Sequence, residues 1–317
     1  MMRYKRLQIL LTGVLGSILL LSTTGHANNE KETQDSPPYL RLALTRPVES
    51  LAPHDTDCHR EIASQLFAGL TEVASDVLKA VPSLATRWEV SENGTVYTFF
   101  LRQDAQWSNK EPLTAQHIEN TVRWYLDGGS DHPKDLFILQ NAKKFFEAEL
   151  DDESLLGVRA IDNHTVRFTL EYPTPLFPVM TSLLHFRPLP VERIKKEAEN
   201  WTHPKHIVVS GPYLLDRWRK RNLLILKKNP AYFDAAKVQI PEIHYTMLPS
   251  SEVALKMYKK NHLDFMPFYK KKQWQEIKEH PDFRSNSKVE YRELDKLETW
   301  YLGFNQSLPP FDQATVR

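Results

Sequence analysis

Apolar positions along the chain change period several times, and each change predicts an element. Leu7 to Leu21 is a mainly apolar run behind Arg3, Lys5 and Arg6, and it gives way to small and polar residues that include Gly25 and Ala27. Such a run of roughly fifteen residues falls short of the ~20 that a spanning helix requires, so it reads as a secretory signal peptide, residues 1–27, cleaved after Ala27. No cysteine lies near that point, and attachment through a lipidated cysteine is not expected. The polar, Pro-ended stretch 28–38 predicts a flexible leader.

Beyond the leader, strand and helix periods alternate. Leu40 to Leu44 predicts a short strand, and Glu61 to Leu70 predicts a helix with Ile62, Leu66, Phe67 and Leu70 on one face. Trp88–Val90 and Val96–Leu101 flank Asn93-Gly94, a strong hairpin signal, and a second hairpin runs Gly157–Ile161, turns at Asp162–His164 and returns along Thr165–Leu170. Between them Thr114 is placed to cap a helix carrying Ile118, Val122 and Tyr125 and stopping before Gly128-Gly129. Further on the pattern predicts strands at Tyr213–Trp218 and Leu223–Lys227, a helix from Ser250 or Ser251 through Tyr258, and a short strand Leu263–Phe265. It then predicts a helix Lys271–Glu279 and a strand Thr299–Phe304. This is mixed α/β or α+β material with too few regular repeats for a barrel.

Composition changes little: 41% hydrophobic, 26% charged, 11% aromatic and a net charge of +1 describe a globular protein, with neither nucleic acid nor an anionic membrane implied by the overall balance. The basic run Lys270–Lys272 beside Trp274 reads as a solvated helix start, and Asp151–Glu153 as a solvated loop. Chemistry concentrates instead in Pro53 to Glu61, which packs His54, Asp55, Asp57, Cys58 and His59 together. Thiolate and imidazole are ligands for soft metals, but no second Cys or His cluster pairs with this one, and a polar loop entering the predicted helix fits as well. Cys58 is the one cysteine, so an internal disulfide is excluded. No nucleophile elbow, zinc-protease helix, phosphate-binding loop or C-x-x-C occurs, which weighs against an enzyme.

Leu66 to Ile118 carries Pro82, Leu84-Ala85, Trp88, Gly94, Tyr97-Thr98-Phe99, Leu101-Arg102, Ala105, Trp107-Ser108 and Pro112-Leu113-Thr114-Ala115. In that order these residues resemble the extracellular solute-binding proteins, family 5, the oligopeptide- and dipeptide-binding components of peptide ABC importers. Ser210–Leu215, Lys227–Tyr245 and Phe304–Arg317 are similar to later segments of the family. The chain departs from the pattern at Asn109-Lys110, where the family has Asp-Gly, and at Ala52, where it often has an Asp before the Pro.

The resemblance implies a two-lobed fold of the type II periplasmic-binding-protein kind, with ligand clasped between lobes. On that mapping residues 39–70 and 185–301 form lobe I, 71–184 a family-specific subdomain within it, and 302–317 the crossing strand and the start of a lobe II that would be missing. It implies a periplasmic monomer that takes peptides by their extended backbone and charged ends, hands them to ABC permease subunits, and needs no cofactor and no nucleic acid. By the same resemblance Asp57, with the backbone of Cys58 and His59, would contact ligand, and Trp300 and Tyr301 on the crossing strand would line the cleft. Half of such a site would bind weakly. Two other readings stay open: a binder of another solute such as a metal chelate or haem, favoured by the His- and Cys-rich loop, and a secreted hydrolase of unrelated design.

Overall fold

The computed structural model describes residues 39–55, 57–74, 78–130 and 133–265, with the single positions 275, 307, 309 and 313. The leader 1–38, the helix expected at 271–279 apart from position 275, and the strand at 299–304 lie outside these residues. Described elements run β1 (Tyr39–Leu44), α1 (Arg60–Leu66), β2 (Thr71–Val73), β3 (Ala80–Pro82), β4 (Ala85–Val90), β5 (Val96–Leu101), α2 (Ala115–Trp124) and α3 (Ala142–Phe146). They continue with β6 (Val158–Asp162), β7 (Thr165–Thr169), α4 (Phe177–Met180), α5 (Val191–Glu197), β8 (Tyr213–Arg219), β9 (Leu223–Lys228), β10 (Glu242–Met247) and α6 (Ser251–Lys259).

One four-stranded sheet has the order β1-β10-β9-β8, with β1 parallel to β10 and the other pairs antiparallel. Leu224, Ile225 and Leu226 of β9 are all buried, as befits a strand covered on both faces, and β1 buries Leu40, Leu42 and Ala43. Phe265 makes a single parallel bridge to Leu42 on the outer side of β1, and Asp264 clamps Arg41 there through Nε at 3.0 Å and Nη2 at 2.7 Å.

The second four-stranded sheet, β4-β5-β7-β6, is wholly antiparallel. Its inner face is read directly off the period-2 pattern: Tyr97, Phe99 and Leu101 of β5 and Val166 and Phe168 of β7 are buried. Phe99, Phe168, Phe177 and Phe186 meet there with centroid separations of 5.4 to 6.2 Å in edge-on arrangements, each pair adding roughly 0.5–1.5 kcal/mol beyond area burial. The Asn93-Gly94 turn forms as expected: the Gly94 N–H donates to the Ser91 carbonyl at 2.9 Å and Gly94 takes φ 71°.

Thr114 caps α2, with its own N–H donated to His117 Nδ1 at 3.1 Å. The helix then widens into a π-turn over Tyr125–Gly129 that is closed by Gly128 at φ 85°. Ser250 caps α6, its Oγ accepting from the Val253 N–H at 3.3 Å.

Two expectations are corrected. Helix α1 stops at Leu66 and the chain turns extended at Phe67 (φ −122°, ψ 121°), although Ile62, Leu66, Phe67 and Leu70 are all buried. Tertiary donors claim the carbonyls that a longer helix would have used: Leu66 O accepts from the N–H groups of Ser210 (3.1 Å) and Gly211 (2.7 Å), and Phe67 O accepts from Arg187. A side chain at Gly211 would lie 2.5 Å from the Gln65 carbonyl, which is why this close approach needs glycine. Strand β10, expected nowhere in the pattern, is an interior strand of the first sheet.

The buried ion pair of Arg187 and Glu72 fastens this junction. Arg187 Nη1 and Nη2 reach the two carboxylate oxygens at 2.9 and 2.8 Å, Nε donates to Ser182 O at 3.0 Å, and Glu72 Oε1 also accepts the Gly69 N–H at 3.1 Å. Both side chains are almost inaccessible, at 1% and 4% exposure, so every donor and acceptor must be matched inside.

Candidate functional site

The loop between β1 and α1 holds the cluster singled out in the sequence, and it is tied to itself. Leu51, Ala52 and Pro53 are buried, which pins its first half to the core. Ser50 Oγ accepts the Ala52 N–H at 3.0 Å and donates to Asp55 Oδ2; the Asp55 N–H donates to Ala52 O at 3.0 Å. The Cys58 N–H donates to Asp55 O at 3.1 Å and the His59 N–H to Ser50 O at 3.1 Å. Ser50 and Asp55 thus supply the local bonds of the loop around Ala52.

Each expected site residue has a definite place. Asp57 stands exposed at the tip of the loop. Cys58 is half-buried, and burial, reinforced by Asp55, pushes its thiol up to about 12. His59 is the N-cap of α1; its carbonyl accepts from Ile62 and Ala63 and its Nδ1 lies 3.0 Å from Glu61 Oε2. That contact holds the Glu61 carboxyl down to about 2, against the opposing effect of burial. The N–H groups of Cys58 and His59 are both spent inside the loop. Trp300 and Tyr301 lie outside the described residues.

The structure brings other groups to the loop. His54 lies edge-on to Trp124 at 4.9 Å and stacks over Trp201 at 6.0 Å, while Ser130 Oγ donates to its carbonyl at 3.4 Å. Its Nε2 is 3.6 Å from Asp55 Oδ1, yet burial outweighs that carboxylate and lowers the imidazole below its ordinary value. His54, Asp55, Trp124, Asp127, Gly128, Gly129 and Ser130 enclose a largely polar cavity of about 400 Å³. Its far wall is the π-turn that ends α2. Behind it Tyr125 is fully buried, its ring edge-on to His185 at 5.2 Å, and His185 Nδ1 sits 2.9 Å from Asp135 Oδ2.

Only Gly128-Gly129 hinted in the sequence at that wall, and nothing there joined it to His54. A second cleft of about 330 Å³ lies between α2 and α5, lined by Trp107, His117, Asn120, Pro190, Arg193 and Lys196 among others. Among the described residues no group of three or more His, Cys, Asp or Glu side chains is arranged to hold a metal ion, and no helix is long and apolar enough to cross a membrane.

Residues 79–317 match the family described as bacterial extracellular solute-binding proteins, family 5 Middle. The chain belongs to this solute-binding family. Relatives of this family-5 chain include the probable deoxycholate-binding periplasmic protein YgiS of Escherichia coli, 30% identical over 261 residues, covering 81% of this chain and 47% of the relative. The periplasmic oligopeptide-binding protein OppA of the same organism is 31% identical over 282 residues, covering 85% and 49%.

Among solved structures, OppA of Burkholderia pseudomallei superposes with a TM-score of 0.70 at 28% identity, covering 76% of this chain and 48% of that one. The unliganded open form of the murein tripeptide binding protein MppA superposes at 0.72. The mixed α/β fold of this family-5 chain is therefore of the type II periplasmic-binding-protein kind. The chain spans about half the length of the curated relatives it matches. Members of the family bind solutes rather than transform them, and the hydrolase reading falls with that.

Proposed function

We infer that this chain is the ligand-capturing part of a periplasmic binding component that delivers oligopeptides to ABC permease subunits. The membership of residues 79–317 in the family carries the reading, and relatives named for oligopeptides favour peptide over other solutes. Physical sense supports it: a binder of varied peptides needs fixed polar groups for backbone and termini beside roomy, wet side-chain pockets, and the self-bonded loop 50–59 against a polar cavity is of that kind. Asp57 exposed at the loop tip is free to meet a ligand, while Asp55 is the carboxylate that faces the cavity.

We assign residues 39–70 and 185–301 to lobe I and 71–184 to a subdomain within it. The four strands of the second sheet all fall inside 71–184, and those of the first all fall outside it. Secretion through the leader 1–27 belongs to the same proposal. Because one lobe offers one wall of the site, binding by the 317 residues alone is weak.

Calorimetric titration with tri- to pentapeptides, using this chain and the product of the complete reading frame side by side, tests the reading. Micromolar or tighter binding by the full product and weaker binding by the 317 residues is expected. A full product that ignores peptides and binds a bile acid would move the ligand to the class for which YgiS is named, and silence toward both would sink the proposal.

A further inference from the structure

The β8–β9 hairpin concentrates charge in a chain whose net charge is only +1. Arg217, Arg219, Lys220 and Arg221 are all exposed along the end of β8, the outer strand of the first sheet, and through the turn that follows. Nearby acids are few. Glu49 Oε1 is 3.9 Å from Arg221 Nε, a loose and exposed contact, and Asp216 and Glu242 are engaged by Lys227 at 3.0 and 3.9 Å. Among the described residues, Arg217, Arg219 and Lys220 therefore face solvent with no acid set against them in these contacts.

The turn also holds an arginine where the backbone favours another residue. Arg221 takes φ 59°, a left-handed conformation for which glycine or asparagine is the easier choice, and Asn222 donates its N–H to Arg219 O at 3.1 Å to close the turn. That conformation lets the charge be removed at Arg221 by glycine without loss of stability.

We propose that this hairpin is a docking surface for the anionic phospholipid headgroups of a membrane, and that it holds the protein at the bilayer by charge alone. Arginine matches phosphodiester oxygens with paired donors, and each basic residue near an anionic leaflet raises partitioning by roughly fivefold. The overall charge balance cannot supply this attraction; only the local patch can. The inference is independent of which solute the protein carries.

Cosedimentation of the 317-residue chain with vesicles of phosphatidylglycerol and phosphatidylcholine tests it. Binding should rise with the phosphatidylglycerol fraction and fall steeply as salt is raised. The variant Arg219→Gln/Lys220→Gln/Arg221→Gly should lose on the order of a hundredfold in partitioning with a thermal midpoint no lower than the parent's. Arg221→Gly alone should lose roughly fivefold while gaining stability, a combination that a purely structural role for the hairpin does not produce.

The apolar run 7–21 is common to parent and variants, so the comparison removes its contribution. Equal binding by parent and triple variant, equal binding to pure phosphatidylcholine, or displacement by low-millimolar inorganic phosphate at constant ionic strength would overturn the proposal. So would retention on polyglutamate without binding to vesicles, which would make the partner an acidic protein.

Discussion

Replacing Arg187 with alanine tests how the loop-bearing helix is fastened to the rest of the molecule. The substitution removes five N–H donors at once and strands the Glu72 carboxylate with 4% exposure, leaving it the Gly69 N–H at 3.1 Å. The carbonyls of Phe67 and Ser182 also lose their guanidinium donors. Breaking a buried pair from one side costs about 3–5 kcal/mol, which for a chain of this size lowers the thermal midpoint by roughly 4–8 °C.

Urea unfolding followed by tryptophan fluorescence would give the free energy directly. The double variant Glu72→Leu/Arg187→Met removes both charges and fills the space, and it should recover most of the loss. A single-variant cost below about 1 kcal/mol, or a double variant no better than the single, would mean that water reaches the pair and that the junction is not held as described.

Three further outcomes are expected. Lys110 sits at φ 71° in the Trp107–Glu111 turn, so Lys110→Gly should raise stability by about 0.5–1 kcal/mol in the same urea assay. Burial holds the imidazoles of His54 and His117 below their ordinary value of 6.5. The unfolded chain therefore takes up protons first as pH falls, stability is lost below about pH 6.5, and His54→Gln should flatten the midpoint-versus-pH curve between pH 7.5 and 5.5. Cys58, with its thiol pushed up to about 12, should react slowly with a disulfide reagent at pH 8 in the folded protein and rapidly in urea.

The hairpins were legible because their signals are local. Asn93-Gly94 fixes a turn whatever else surrounds it, and Thr114 and Ser250 cap the helices that follow them. Strand β10 has the alternation of a strand, Ile243, Tyr245 and Met247 spaced by His244 and Thr246, but the stretch is short and lies close behind Pro241, with no local turn signal to pair it. It becomes an interior strand only by pairing with β1 and β9. The end of α1 is hidden for a related reason: Phe67 and Leu70 keep the helical spacing, but Ser210, Gly211 and Arg187, far along the chain, take the carbonyls.

At the site, the loop from His54 to His59 was recognised and its partners were not. Trp124 and Asp127–Ser130 reach His54 through the packing of α2. Which of two nearby aspartates turns toward the cavity depends on the hydroxyl of Ser50, a residue with no distinguishing pattern of its own. The basic triplet Arg219–Arg221 is as plain in the sequence as Lys270–Lys272; what the sequence does not show is that it lies with Arg217 at the exposed end of an outer strand.

The parallel pairing of β1 with β10 has a consequence for the order of assembly. Tyr39 finds its partner at Glu242, so the strand that leads into the ligand loop cannot be seated until about two hundred further residues are available. Closing so long a loop makes this a late and slow event, so mutations in β10 should chiefly speed unfolding, while mutations in the local hairpin of β4 and β5 should slow refolding more. A chain threaded from its N-terminus through a membrane would carry β1 across as an unpaired segment and complete the sheet on the far side.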